Sequence, residues 1–343
     1  MRRKIKMSMN AETLMEVIQK KEKTLEKKSF FRRILEAREF SLILILAVIV
    51  AALTLSTDTF ASSANLTVML QGMSVDMIIA VPMAISLVAG NIDFSVGSNL
   101  ALSSLIACMA MNNGASTITG MLIGLVSGIL LGLLNALIIN KFRITPLVAT
   151  MGTWMAYKGL ALVISSGSTV ANLPDGFKSF GRAKLFGIPL PIVYMVCVVI
   201  LGMFVLKYID FFNRAYYIGG NQASARLAGM NTELFTYVSY GLTGFMSAFA
   251  GLVLAARLGA VSQSAGSGLE FRNVVALLIG GVSMDGGEGT IFGAVLGVTL
   301  MQIVNNSLVL LDINPSWTQV ITGSILVLSI AIDKASRMKK SAR

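Results

Sequence analysis

Three ionisable side chains, Asp76, Asp93 and Lys158, stand inside otherwise apolar stretches. A charge in lipid is costly, so each is a candidate for a pathway, a relay or a buried pair. Asp93 has a second reading, because in NIDFSVGS its carboxylate is placed to cap the helix that follows. Asp76 fits either a polar cavity or the outer interface. No catalytic set surrounds them. The sequence has no histidine, and Cys108 and Cys197 both lie in apolar runs, where a thiol is a small packing residue. A zinc site or a Cys–His pair would need ligands that are absent. No G-x-x-x-x-G-K-[ST] phosphate loop occurs. These residue types argue against an enzyme, and no cofactor or metal is expected on the chain itself.

A second group has gentler chemistry. Asn91, Asp93, Phe94, Ser95, Asn99, Asn135, Trp154, Tyr157, Asn305 and Asn306 fall in or beside the apolar runs. A neutral polyol needs amide and hydroxyl partners and an aromatic face, and this set offers all three. It fits a wet, weakly binding channel better than a proton relay. Singly, each reads as readily as a structural hydrogen-bonding or packing residue.

The elements that must position these residues are membrane helices. Of 343 residues, 55% are hydrophobic and 13% charged, against about 45–50% and about 25% in soluble domains. Apolar runs near 20 residues recur, each long enough for a hydrocarbon core about 30 Å thick. The expected fold is an all-α polytopic membrane protein of about ten transmembrane helices, with Gly-rich interrupted segments and both termini cytoplasmic. Residues 1–40 form a basic N-terminal segment, readable as a helix on the membrane surface or a solvated tail. Residues 41–333 form the transmembrane domain and 334–343 a basic tail. The net charge of +11 sits at the two ends, which the positive-inside rule explains without nucleic acid. In that orientation outer loops hold only Lys178, Arg182, Lys184, Arg257 and Arg272.

Two further patterns stand out. Gly120, Gly124, Gly128 and Gly132, and again Gly289, Gly293 and Gly297, recur every four residues, which would let helix backbones approach closely. AVPMAISLVAGNIDFSVGSNLAL and VVALLIGGVSMDGGEGTIFGAVL echo each other, each with an acid in a Gly/Ser-rich break. Paired interrupted segments point to a transport site, although tight turns at the inner surface would look the same. Between long apolar runs lies a polar, basic stretch within residues 210–233, placed to dock a cytoplasmic partner.

Four motifs carry a family resemblance. NIDFSVGS, TPLVATMGTWMAYKGLALVIS, GGNQASARLAGMN and LLIGGVSMDGGEGTIFGAVLG occur in order and resemble segments of the permease subunit of ribose-type ABC sugar importers of bacteria. Asn91, Phe94, Lys158, Ser224, Phe271, Arg272 and Val282 depart from the usual pattern. The resemblance implies a multi-pass protein of the bacterial cytoplasmic membrane that pairs with a second permease, identical or related. A cytoplasmic ABC ATPase would hold the ATP and Mg, and an extracytoplasmic solute-binding protein would deliver a small sugar. The coupling segment then maps onto Gly219, Gly220, Asn221, Ala225, Arg226, Leu227 and Gly229. The expected function is import of a monosaccharide or similar solute by alternating access. The alternatives are an ABC permease for an amino acid or nucleoside, and an ion-coupled secondary transporter.

Overall fold

The computed structural model describes residues 38–314 and 316–341. Of the basic N-terminal segment, residues 1–37 lie outside the described residues. The chain runs through α1 (Arg38–Ser56), α2 (Ser63–Val88), α3 (Val96–Asn112), α4 (Thr117–Phe142) and α5 (Pro146–Ser165). A short α6 (Asp175–Arg182) and a hairpin of β1 (Lys184–Leu185) and β2 (Ile188–Pro189) precede α7 (Leu190–Tyr208). Three short helices follow, α8 (Asp210–Asn213), α9 (Ala215–Gly220) and α10 (Gln222–Leu227). The last four are α11 (Thr232–Leu258), α12 (Leu269–Ile279), α13 (Ile291–Leu310) and α14 (Trp317–Ser341). The domain edges expected at residues 40 and 333 therefore fall inside α1 and α14.

Among the described residues seven helices, α1, α2, α4, α5, α7, α11 and α13, are long and apolar enough to cross a membrane. The other three expected spans are shorter: α3 has 17 residues, α12 has 11, and the apolar part of α14 ends at Ala331. Both α3 and α12 flank the glycine-rich breaks.

Helices α2 and α11 form the centre. From Ser74 to Val88 every residue of α2 is buried, as expected for a helix that is apolar all round. Pro82 sits within it; a bundle of neighbouring helices tolerates the lost backbone donor. α11 packs against α4, α2, α3 and α6, while α13 joins α2, α12 and α1. α7 lies along α2, α5 along α3, and α14 along α12.

α4 presents two opposite faces. Gly120, Gly124, Gly128 and Gly132 are buried; Ile118, Leu122, Val126 and Leu130 are exposed. A Cβ on Gly128 would collide with Ala248 and lie 2.7 Å from the Gly244 carbonyl, and one on Gly132 would strike the Tyr240 carbonyl. The glycines thus let α4 and α11 touch backbone to backbone, and the outward apolar ridge is left to lipid or another chain. In the second glycine series, Gly293 and Gly297 pack on the backbone of Gly280 and Ala276. Gly289 differs from expectation: it lies ahead of α13, at φ +147°, in a loop that no helix face includes.

Cys108 is buried as expected, but Cys197 is exposed on α7, so its apolar neighbours in sequence do not enclose it. Two loops are tied by paired backbone hydrogen bonds between Val170 and Val261, both 2.9 Å.

Candidate functional site

The break after α2 builds a polar cluster from the chain outward. Gly90, at φ +82°, ends the helix, and the Asn91 N–H returns to the Ser86 carbonyl at 2.9 Å. The next turn is set by Asp93, whose Oδ1 accepts from the Ser95 N–H at 2.8 Å and the Ser95 hydroxyl at 2.7 Å. Asp93 therefore organises the turn that starts α3, while Ser95, and not Asp93, occupies the N-cap position. Asn135 of α4 donates to Ser95 Oγ at 2.7 Å, and Tyr157 of α5 donates to the Leu131 carbonyl at 2.8 Å beside the Asn135 amide. Asn99 donates to the Gly128 carbonyl at 3.1 Å. Asn91 faces the hydroxyls of Thr236 and Ser239 at 3.5 and 3.4 Å. Tyr240 donates to the Ile92 carbonyl at 2.8 Å, and the Phe94 N–H to Thr150 Oγ1 at 3.2 Å.

Seven expected residues, Asn91, Asp93, Phe94, Ser95, Asn99, Asn135 and Tyr157, thus meet in one buried region. Most of their polar groups are engaged with the backbone or with each other. Such a satisfied network holds a non-helical stretch in place deep inside a bundle.

Trp154 stands next to this region through aromatic contacts. Phe271 lies 5.3 Å from the Phe94 ring and 6.1 Å, edge-on, from Trp154. The Lys158 ammonium sits 5.6 Å from the Trp154 ring centroid. Trp154, Lys158 and Phe271 border a cavity of about 550 Å³ between α5, α12 and α14. A second cavity, about 400 Å³, is lined by Asp76, Arg257, Arg272, Gln302 and Asn305. Arg272 lines both cavities and pairs with buried Asp76 at 3.0 Å. Asp76 is therefore a partnered charge at a polar cavity. Asn305 lines that cavity too, but Asn306 is elsewhere: it exchanges two hydrogen bonds with Asn65, at 3.0 and 2.9 Å. It pins α13 to the start of α2.

The two breaks come together with the 210–233 stretch. The Gly287 N–H donates to the Val88 carbonyl at 2.7 Å. A Cβ on Gly219 would strike the same carbonyl, and one on Gly286 would lie 2.8 Å from Gly219 Cα and 2.9 Å from the Gly90 nitrogen. Tyr216 donates to the Gly289 carbonyl at 2.8 Å. Burial raises the Tyr216 phenol above its ordinary pKa, which keeps it a protonated donor. Around this junction opens a cavity of about 540 Å³ bordered by Asn91, Arg143, Gly219, Arg226 and Asp285.

The stretch itself is built by short-range rules. Asn221 caps α10, its side chain accepting from the Ser224 N–H at 3.0 Å. Gly229, at φ +81°, lets the chain turn back toward α11. Arg226 donates to Thr232 Oγ1 at 2.8 Å, and Ala225 is buried beneath. Leu227 is 91% exposed, and a Cβ on Gly220 would meet nothing within 4 Å. A hydrophobic tip and an open glycine thus sit on a segment anchored from below.

Sequence reasoning did not find the Asp76–Arg272 pair, Glu270, Thr322 or Tyr240. The partners of the first pair are 196 positions apart, and no local pattern joins them.

Residues 65–330 match the family model described as branched-chain amino acid transport system / permease component. The chain is 33% identical over 299 residues to the ribose import permease protein RbsC of Bacillus subtilis, covering 87% of this chain and 92% of that one. It is 32% identical over 319 residues to the autoinducer 2 import system permease protein LsrC of Yersinia pseudotuberculosis, with 89% and 90% covered. Against LsrC of Yersinia pestis the identity is 31%, with the same coverage. No solved structure matches the chain.

Proposed function

The chain belongs to the branched-chain amino acid transport system / permease component family, and from this we propose that it forms the membrane pathway of an ATP-driven importer for a monosaccharide-like solute. It does no covalent chemistry. ATP and Mg²⁺ act on a cytoplasmic ABC ATPase, an extracytoplasmic binding protein delivers the solute, and a second permease, identical or related, completes the pathway. The protein lies in the bacterial cytoplasmic membrane and crosses it ten times with both termini cytoplasmic. Seven passes are the long helices; α14 is another. The remaining two are composite: the break at 89–95 continues into α3, and the loop at 259–268 leads into α12. A close approach of Gly97 to the Gly266 backbone, where a Cβ on either would collide with the other, supports two half-helices starting at similar depth.

Three of the basic residues this orientation leaves outside have local structural uses. Lys178 pairs with Asp175 at 3.0 Å. Arg182 donates to the Arg257 and Leu258 carbonyls at 2.8 and 2.9 Å, meeting the free carbonyls at the end of α11. Arg272 is held by Asp76.

The observation that carries the mechanism is the junction of Gly219, Val88 and Gly287. Gly219, Gly220, Asn221, Ala225, Arg226, Leu227 and Gly229 form the ATPase-docking segment, and its anchored base touches both interrupted segments. A push on α9 and α10 therefore moves the breaks beside the polar cluster, which opens the pathway to one side at a time. The test is uptake of labelled sugars into ATP-loaded vesicles that carry the permease, its ATPase and its binding protein. One sugar should accumulate only with ATP and both partners. Gly220→Trp, projecting into open space, should abolish uptake while the permease still folds. Uptake that ignores ATP and follows an ion gradient would refute the proposal.

A further inference from the structure

We propose that the cavity between α5, α12 and α14 is a sugar-binding subsite, with Trp154 and Phe271 as its aromatic wall and Glu270 and Thr322 as its hydroxyl-binding groups. This rests on the importer reading above and gives it a place for the cargo. The cavity, about 550 Å³, falls in the range of about 300–1,000 Å³ usual for small-molecule sites. Three helices supply it in register. Trp154 and Lys158 are one turn apart on α5, Glu270 and Phe271 open α12, and Thr318, Thr322 and Leu326 repeat along one face of α14.

Two of its polar groups are buried and incompletely used. Glu270 is 1% exposed; its carboxylate interacts with the Gly268 N–H at 3.2 Å, with the Trp154 indole and with the Lys158 ammonium, while its Oε2 has no hydrogen-bond partner among the described residues. Thr322 is 5% exposed, and its Oγ1 likewise has none. Leaving such groups unpaired is unfavourable, and a bound solute with hydroxyls relieves both. A carboxylate oxygen accepts from a sugar hydroxyl, and a threonine hydroxyl can donate or accept. The C–H face of the ring lies against Trp154 and Phe271, already fixed edge-to-face at 6.1 Å. Lys158, stacked on Trp154 at 5.6 Å, offers a donor to a ring or hydroxyl oxygen. Gly97 has a part as well, since a Cβ there would collide with Glu270 Oε2. The glycine of NIDFSVGS thus leaves room for the carboxylate.

The test uses the assembled importer in vesicles, with Cys108→Ala, Cys197→Ala and Thr322→Cys, treated during turnover with a small methanethiosulfonate reagent. D-ribose, D-xylose, D-glucose and L-leucine are compared as cargo. The sugar that is taken up should slow modification severalfold, and L-leucine should not. A Ser168→Cys control, exposed in the loop after α5, should react at one rate throughout. In parallel, Glu270→Gln should lower uptake of that sugar about tenfold, the loss expected for one charged hydrogen bond. The milder Thr322→Val, with ATPase activity preserved, should change the ratio of uptake among the three sugars. Sugar uptake without protection, and with ratios unchanged in Thr322→Val, would overturn the subsite and leave the importer standing. Uptake and protection by L-leucine alone would overturn the sugar as occupant. No uptake of any sugar would overturn both the cargo reading and the subsite.

Discussion

Asp76 and Arg272 illustrate how a membrane bundle can hold a full charge. The Asp76 side chain is 9% exposed and Arg272 29%, and they meet at 3.0 Å across α2 and α12. Breaking such a pair leaves one charge stranded, at a cost of about 3–5 kcal/mol when fully buried. With Arg272 partly exposed, the loss for Asp76→Asn should be smaller, about 1–3 kcal/mol. The Asp76→Asn/Arg272→Met double variant should recover part of it, because neither charge is then left alone. Melting of the detergent-solubilised protein by size-exclusion chromatography checks the order: the single variant below the double, and both below wild type. A loss in the double variant equal to the sum of the separate Asp76→Asn and Arg272→Met losses would mean that the two side chains act independently. The same pairing argues against Asp76 as a proton carrier, so uptake should persist when an uncoupler is added and ATP is held constant.

The helices obey spacing rules that the sequence exposes, and the glycines give the sharpest contrast. Gly132 faces the Tyr240 carbonyl, a backbone group that cannot swing aside, while Gly159 of α5 has nothing within 4 Å of where a Cβ would be. Gly132→Ala should therefore separate α4 from α11 and destabilise the protein by about 2 kcal/mol or more, as overpacking in a core does. Gly159→Ala should be neutral or stabilise slightly, because alanine is the better helix former by about 1 kcal/mol. Thermal melting of the two variants side by side decides it; equal losses would contradict the packing account. This contrast also marks what was legible. Period-four glycines marked the face on which α4 meets a neighbouring helix backbone without saying that the neighbour is α11, and the recurring apolar runs near 20 residues correspond to the long helices. The run from Phe271 to Val282 is by its sequence too short for a clean span, as the 11 residues of α12 bear out, but the apolar content did not reveal that α3 is short as well, because a buried irregular stretch can be as apolar as a helix. Nor did it separate Asn305 from Asn306, adjacent in sequence but turned to different neighbours about 100° apart around α13.

At the scale of the whole molecule, the question is how an event at the proposed docking segment reaches a cavity on the far side of the breaks. The route is short and made of backbone. Gly219 lies on the Val88 carbonyl, Gly287 donates to that carbonyl at 2.7 Å, and Tyr216 holds Gly289 at 2.8 Å. On one side the first break leads through Asn91 and Asp93 to Phe94, whose ring touches Phe271 at 5.3 Å. On the other, the second break adjoins α12, which carries Phe271 and Glu270 at its start. Both arms thus end at the same aromatic group. Of these links, Tyr216 can be cut with least disturbance, because Tyr216→Phe keeps the ring and removes only the hydroxyl. One neutral hydrogen bond is worth about 1 kcal/mol, so the fold should survive. If that bond transmits motion, ATP hydrolysis by the assembled importer should continue while sugar uptake falls, raising the number of ATP consumed per sugar about two- to fivefold. If it only stabilises the loop, uptake and hydrolysis should fall together and their ratio stay fixed. Measuring both rates on the same vesicles separates the outcomes, and a fixed ratio would remove Tyr216 from the route.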